Sequence, residues 1–266
     1  MQWLRVPGSD DDKRSMGVLG VITGSERYPG AAVLGVEAAW RTGIGMVRLW
    51  APRRVQDLVL ARRPETVCHA LDEPADGVDA WLLGSGQDAR ERDQALRSAL
   101  LEALAAGAPC VVDAGALDLV PGHAGPAVVT PHGRELERIL EQLGAPVEAD
   151  ARMRAAAAAA ALDAVVVAKG AATHVVEPSG AATTVEAATH RLATAGTGDV
   201  LAGMLGALVA ANPDATRESE RLASIAALGV ALHGQAAAAA AEGDRPIAAL
   251  DVAEHVPAVI AARLER

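Results

Sequence analysis

The sequence contains very few aromatic residues: phenylalanine is absent, and one tyrosine and four tryptophans are spread over 266 residues. Hydrophobic residues nevertheless make up 51% of the chain, so alanine, valine and leucine have to fill the core. Alanine and leucine favour helices, whereas valine favours strands. This composition is typical of a parallel sheet covered by helices, and the length suits one large α/β domain or two small ones.

Clustered positive charge is also missing. The formal net charge is −10, which argues against a nucleic-acid partner because phosphate contacts need grouped lysine and arginine. We interpret the two Arg-Arg pairs at 53–54 and 62–63 as a solvated helix face. The only cysteines, Cys68 and Cys110, form neither a metal-binding pattern nor a disulfide framework. We therefore expect buried free thiols in a reducing compartment.

No segment has the pattern of a targeting peptide or a membrane anchor. The N-terminus carries acidic residues where a signal peptide would need an apolar stretch. Residues 222–241 lack charges over a bilayer-spanning length, but they are mostly alanine and include Ser224, His233 and Gln235. A buried core helix explains such a segment better than a membrane span. We expect a soluble, cytoplasmic protein without a membrane partner.

Short apolar runs alternate with helical patterns and predict a doubly wound α/β domain. Helices are expected at 29–43 and 88–106, and a hairpin at 173–187, and the pattern is helical nearly to the end from Gly198 onward. No linker rich in proline, glycine and serine interrupts the chain, so we predict a single domain over 1–266. Buried strands are predicted at residues 17–25, 44–50, 79–86, 109–115, 126–133 and 164–170.

The usual nucleotide and hydrolase motifs are absent: there is no P-loop, no G-x-G-x-x-G after the first strand, no H-E-x-x-H and no G-x-S-x-G. Polar and glycine residues do recur directly after the predicted strands. Because ligands bind outside the carboxyl ends of strands in open α/β sheets, these residues predict one site. They are Thr23, Gly24, Ser25, Gly84, Ser85, Gly86, Asp113, Thr130, Pro131, His132, Lys169 and Gly170.

The stretch AGTGD, residues 195–199, precedes a long apolar helical pattern. Gly196 and Gly198 allow the backbone to aim several amides at one point, and the helix dipole adds positive charge there. Such a loop can stabilise the charge that develops in phosphoryl transfer, and Asp199 could accept a proton from a substrate hydroxyl. A plain helix cap explains the same aspartate, and the loop by itself leaves both interpretations open.

Four segments together indicate a protein family. AGTGDVLAGMLGAL resembles the G-T-G-D loop and helix of the ribokinase-like superfamily. VITGSERYPGAAVLGVEAAWRTGIGMVRL, VVTPHGRELERIL and VAKGAATHVV resemble the corresponding segments of the ADP-dependent NAD(P)H-hydrate dehydratases, over residues 13–262. The resemblance implies a three-layer ribokinase-like fold, with a mostly parallel central sheet and helices on both faces.

The resemblance also implies an activity in cofactor repair. Members of this family dehydrate the (6S) hydrates of NADH and NADPH (NADHX and NADPHX), with ADP converted to AMP and phosphate. Hydroxide leaves poorly, whereas a phosphorylated hydroxyl leaves readily. Asp199 would be the base that engages the hydroxyl. The amides of residues 195–198, with Gly196 and Gly198 among them, would hold the moving phosphoryl group.

Binding roles follow from the same resemblance. The hydrate would contact Ala31, Gly86, His132 and Asp199, with Ala32 and Gly84 as neighbours. Glu135 would order Mg²⁺ through water. Structural alternatives stay open for three of the side chains, since Lys169, His132 and Glu135 could be a surface lysine, a hydrogen-bonded histidine and a plain helix residue. ADP or AMP would contact Lys169, Gly170, Ala171, Ala172, Thr173 and Gly198.

Two segments depart from the family pattern. TPHGRE stands where T-P-H-P-G-E is usual, and GSGQD, residues 84–88, stands where G-P-G-L-G is common. Neither change removes a group assigned to chemistry. Relatives form tetramers, so a homotetramer is expected, and many carry a fused epimerase for which this chain has no room, so a separate epimerase is expected.

Two other functions remain compatible with the sequence. A small-molecule kinase of the same superfamily, acting on a vitamin-precursor alcohol, would carry the same phosphoryl-transfer loop. The T-P-H segment and the YPGAA turn at 28–32 favour the dehydratase. A non-catalytic nucleotide-binding protein is the third candidate, and the presence of Asp199 beside both glycines argues against it.

Overall fold

The computed structural model describes residues 2–265, in which nine strands form one sheet with the order β3-β2-β1-β4-β5-β6-β7-β8-β9. Neighbouring strands from β3 across to β7 run parallel, whereas β8 and β9 form an antiparallel hairpin at the edge, as predicted. The strands are β1 (Val18–Ile22), β2 (Met46–Trp50), β3 (Val67–His69), β4 (Ala80–Leu83), β5 (Cys110–Val112), β6 (Ala127–Val129), β7 (Val165–Ala168), β8 (Ala172–Val176) and β9 (Ala182–Glu186).

Helices cover both faces of the sheet, which confirms the predicted three-layer architecture. One core lies under α1, α2, α6, α7 and α8, and the other under α3, α4 and α5. The helices are α1 (Gly30–Arg41), α2 (Arg53–Arg62), α3 (Gln94–Ala105), α4 (Gly133–Gln142), α5 (Ala151–Leu162), α6 (Thr197–Ala210), α7 (Ser219–Ala240) and α8 (Ala249–Leu264). Short 3-10 helices span Ala114–Gly122, His190–Leu192 and Ala215–Arg217.

Two predictions need correction. The helix expected at 88–106 begins only at Gln94, because Asp93 caps it by accepting a hydrogen bond from the Leu96 amide. Asp88 instead accepts from the Arg90 amide and holds the preceding residues in a turn. Cys110 is buried as expected, but Cys68 is only partly buried, since it lies on the short strand β3 at the edge of the sheet.

The helix α7 contains the uncharged segment of the sequence analysis. By length and composition it could cross a membrane, but 61% of its most apolar stretch is buried inside the fold. It packs against α6 and α8, as predicted for a core helix.

The helix α6 is the most deeply buried helix and directs its N-terminus at the carboxyl ends of the strands. Every residue from Val200 to Ala210 is buried. It lies against α1 at Gly35 and Gly203, where a Cβ on Gly203 would overlap the Gly35 carbonyl. This close contact between two backbones places the start of α6 beside the loop that follows β1.

Candidate active site

The start of α6 resolves the question that the AGTGD loop raised. Gly196 is the N-cap, with a φ of 89° that glycine adopts without strain. Asp199 is the third residue of the helix, and its carboxylate accepts no hydrogen bond from residues 2–265. Asp199 is therefore not the helix cap. It is a partly buried carboxylate with its acceptor oxygens available.

The backbone amides around Asp199 are also available. The Thr197 amide donates a long hydrogen bond of 3.4 Å to Thr194 O, but the amides of Gly198 and Asp199 donate to no backbone carbonyl in the described chain. The first amides of a helix lack partners within the helix, and α6 adds the positive end of its dipole. An anionic phosphoryl group fits this position.

A partly buried ion pair lies beside this loop. Lys169, directly after β7, donates from Nζ to Asp113 Oδ1 at 2.8 Å. Nζ also lies 3.5 Å from the position that a Cβ on Gly198 would occupy. The predicted cluster of strand-end residues thus places an ammonium group next to the glycine loop and Asp199.

Burial and neighbouring charges shift the pKa values of Asp199 and Lys169. Burial raises the pKa of Asp199 to about 6, and the negative charge of Asp113 adds to the effect while Lys169 opposes it. Burial works against the charged form of Lys169, but Asp113, with Glu135 and Asp199 further away, holds the pKa of this lysine above its ordinary value. Asp199 is therefore ionised at neutral pH but is a stronger base than an exposed aspartate.

A cavity of about 440 Å³ opens next to Lys169 and Gly198. Its walls are mostly apolar, with Val185, Leu192, Leu201 and Val230 among them. Five of the residues predicted to bind the nucleotide line this cavity: Lys169, Gly170, Ala171, Thr173 and Gly198. Ala172 is not among the lining residues, because successive residues of a strand point to opposite faces.

Among the lining residues that were not predicted from the sequence is His233 of α7. Its side chain is buried, and Nε2 has no hydrogen-bond partner in the part of the chain that the structure describes. Burial lowers the pKa of His233 to about 4, so the ring is neutral at neutral pH. The available signal was that His233 is the one titratable residue in the uncharged segment 222–241.

His132 and Glu135 both have structural partners. His132 is the N-cap of α4, and Glu135 completes a capping box by accepting from the His132 amide at 2.8 Å. A single parallel bridge pairs His132 with Lys169, so the T-P-H segment lies beside the ion pair, within the predicted cluster of strand-end residues. The structural alternatives for His132 and Glu135 are thus satisfied, yet the His132 side chain remains 53% exposed and free to contact a ligand as well.

Ala31 and Gly86 contact each other, because a Cβ on Gly86 (φ 69°) would overlap the Ala31 methyl group. Their loops are joined by a hydrogen bond from Ser25 Oγ to Gly86 O at 2.8 Å. Ala32 and Gly84 do not reach the surface of a site. Ala32 is fully buried, and a Cβ on Gly84 would overlap the Asp113 carbonyl.

A second cavity of about 560 Å³ lies near the loops that carry Ala31 and Gly86. It is more polar than the first, and Glu135 connects it to the Lys169 cluster. Neighbours of the predicted hydrate-binding residues line it, rather than those residues themselves. Its walls include Tyr28, Gln87, Gly115, Glu135 and Arg138.

Comparisons with known proteins agree on one family. The model of the NAD(P)H-hydrate dehydratase family matches residues 19–258. The bifunctional NAD(P)H-hydrate repair enzyme of Mycobacterium tuberculosis is 41% identical over 212 residues, which are 77% of this chain and 43% of that protein. The chain thus matches less than half of that relative's length.

Solved structures show the same relationship. The ADP/ATP-dependent NAD(P)H-hydrate dehydratase of Bacillus subtilis, co-crystallised with ATP and Mg²⁺, is 26% identical, with a TM-score of 0.81 over 97% of this chain and 93% of the other. A ribokinase-like superfamily protein of Enterococcus faecalis, 22% identical with a TM-score of 0.82, covers 97% of this chain and 92% of its own and shares the fold.

Proposed function

The chain belongs to the NAD(P)H-hydrate dehydratase family, and on this basis we propose that it restores NADH and NADPH from their (6S) hydrates while converting ADP to AMP and phosphate. The observation that carries the proposal is the state of Asp199. Its carboxylate has no hydrogen-bond partner in residues 2–265, its pKa is raised to about 6, and its neighbour Gly198 lines the apolar cavity.

The arrangement suits phosphoryl transfer to a hydroxyl. Asp199 accepts the proton of the hydrate's hydroxyl, and the hydroxyl oxygen forms a bond to the β-phosphorus of ADP as the bond from that phosphorus to AMP breaks. The unpaired amides of Gly198 and Asp199 stabilise the charge on the moving group. Loss of phosphate from C6 and of a proton from C5 then restores the double bond of the dihydropyridine ring.

The apolar cavity beside Lys169 and Gly198 suits the adenosine part of ADP. Leu192, Leu201 and Val230 offer apolar surface for a base, and Gly170 and Gly198 allow the phosphates to approach the backbone closely. Lys169 supplies positive charge beside the glycine loop. Because the Bacillus subtilis relative is described as ADP/ATP-dependent, both nucleotides belong in the test.

A magnesium ion would bind beside this cavity through the phosphates of the nucleotide. No group of three or more His, Cys, Asp or Glu side chains in residues 2–265 is placed to hold a metal by itself. Mg²⁺ usually keeps several waters and binds through one or two carboxylates plus substrate phosphates. Glu135 accepts from the His132 amide through Oε2 and has Oε1 3.5 Å from His132 Nε2, so it would hold the ion only through a water of that shell. When bound, the ion would neutralise phosphate charge.

The substrate is proposed to be the S epimer only. The Mycobacterium tuberculosis relative is named as bifunctional, and this chain matches 43% of it. We propose that an epimerase activity supplies the S epimer from the R epimer. An epimeric mixture should be consumed by half without an epimerase and completely with one.

The test is recovery of the near-ultraviolet absorbance of the dihydronicotinamide ring. Purified chain, (S)-NADHX or (S)-NADPHX, Mg²⁺ and either ADP or ATP should restore this absorbance, and omission of nucleotide should abolish recovery. Failure of both hydrates, together with phosphorylation of a simple alcohol, would reject the dehydratase in favour of a small-molecule kinase.

A further inference from the structure

Asp113 is a buried carboxylate with three side-chain hydrogen-bond donors. Ser85 Oγ donates to Oδ2 at 2.9 Å, and Thr130 Oγ1 donates to Oδ1 at 2.7 Å. Lys169 Nζ donates to the same Oδ1 at 2.8 Å. The four residues follow β4, β5, β6 and β7, so one carboxylate connects the ends of four adjacent strands.

Two carboxylates compete for one ammonium group in this cluster. Lys169 lies close enough to Asp199 to oppose the rise of its pKa, yet its hydrogen bond goes to Asp113. Asp113 is favoured because the hydroxyls of Ser85 and Thr130 hold its carboxylate in place through two hydrogen bonds. Asp199 is left without a donor, although a lysine stands nearby.

Few other titratable groups among the described residues face Asp113 and Lys169. Glu135 of α4 acts on Lys169 from a greater distance, and His233 of α7 is buried and lies near Lys169. His233 is neutral at neutral pH, so it supplies no charge. Asp113 is therefore the one strong partner of Lys169 among the described residues.

We propose that Asp113 is a positioning residue for Asp199: by holding the Lys169 ammonium, it prevents an Asp199–Lys169 ion pair and leaves the Asp199 carboxylate free to accept a proton. The proposal rests on the proposed function only for the identity of the group that gives up this proton. Asp113 touches no reacting atom in this scheme and acts through Lys169.

The direct test is a carbon-detected NMR titration of side-chain carboxyl groups in the nucleotide-free protein, with Asp199→Asn to assign the Asp199 signal. The wild-type midpoint is expected near pH 6. Asp113→Asn keeps the volume and removes the charge, so Lys169 should turn to Asp199. Together with the lost repulsion from Asp113, this should lower that midpoint by about one pH unit or more. Asp113→Glu should return it toward the wild-type value. An unchanged midpoint in Asp113→Asn would overturn the proposal.

A second variant keeps the test decisive if Asp113→Asn fails to fold. Lys169→Met removes the ammonium itself. If Lys169 is held by Asp113, this change should raise the Asp199 midpoint by less than about one unit; a larger rise would mean that Lys169 already pairs with Asp199 and would overturn the proposal. Ser85→Ala keeps both charges and removes one hydrogen bond to Asp113, so it should shift the midpoint less than Asp113→Asn does.

Activity adds a separate readout. In Asp113→Asn, kcat should fall about tenfold or more, and the acidic limb of the kcat/KM profile should move to lower pH, because Asp199 becomes a weaker base. A merely structural loss would lower the rate without moving the limb. Since the NMR titration needs no substrate, its outcome stands even if the hydrate proves not to be the substrate.

Discussion

The nucleotide side and the hydrate side of the proposed site differ in how completely the fold forms them. On the nucleotide side, an apolar cavity lies ready beside Lys169 and Gly198. On the hydrate side, Ala31 packs against Gly86, and His132 caps a helix. Asp199 stands between them with its carboxylate unengaged. The nucleotide side depends on backbone shape, whereas the hydrate side depends on side chains that already serve the fold. The two sides should therefore respond differently to substitution.

The largest expected effect comes from the residue shared by both sides. Asp199→Asn removes the base while keeping nearly the same volume, so kcat should fall by about 10²- to 10⁴-fold, whereas ADP affinity measured by calorimetry should change less than about threefold. A variant within a few-fold of the wild-type rate would show that another group takes the proton.

The hydrate side should be the more fragile in stability. Gly86→Ala forces a non-glycine residue to a φ of 69° and into the Ala31 methyl group, which should cost about 1–3 kcal/mol of unfolding free energy and raise KM for the hydrate. Gly133→Ala, in the altered TPHGRE segment, meets no atom within 4 Å and serves as the control in denaturant unfolding. Equal losses in both variants would contradict this account.

The nucleotide side should separate stability from binding. Gly198→Ala places a methyl group in the first turn of α6, about where the phosphates approach, 3.5 Å from Lys169 Nζ. Alanine favours a helix over glycine by up to about 1 kcal/mol, so thermal unfolding should shift upward. KM for ADP should rise about tenfold, equivalent to about 1.4 kcal/mol. Unchanged ADP binding would mean that the phosphates bind elsewhere.

The smallest effect concerns pH. Because the pKa of free Asp199 is raised to about 6, kcat/KM should be half-maximal near pH 6 and should fall tenfold per unit at lower pH. The direction follows from the role of Asp199 as a base, which protonation removes. An acidic limb near the ordinary aspartate value would place Asp199 outside proton transfer.

The sequence located much of the lining of the apolar cavity because glycines and strand ends determine it locally. The alternation of apolar runs located Lys169 and Gly198, and the hairpin followed from its turn. Long-range contacts were not predictable in the same way. The Asp113–Lys169 ion pair joins residues that are 56 positions apart, and His233 enters the cavity from a helix whose composition indicated only burial.

The hydrate side shows a second limit. Ala32 and Gly84 were expected near the ligand because they adjoin Ala31 and a glycine turn, yet packing against Gly24 and Asp113 buries them. His132 was expected in the same cluster of strand-end residues as Lys169 and lies there, but its capping box with Glu135 was not foreseen. A motif locates such residues, whereas their hydrogen bonds depend on the neighbouring strand ends.

The central claim is that Asp199 couples nucleotide cleavage to repair of the hydrate. The most direct measurement follows phosphate release and restored dihydropyridine absorbance in the same reaction with (S)-NADHX, ADP and Mg²⁺. The account predicts one phosphate for each restored cofactor, and neither product with Asp199→Asn. Phosphate release at the same rate without the hydrate, or restored cofactor without AMP, would contradict it.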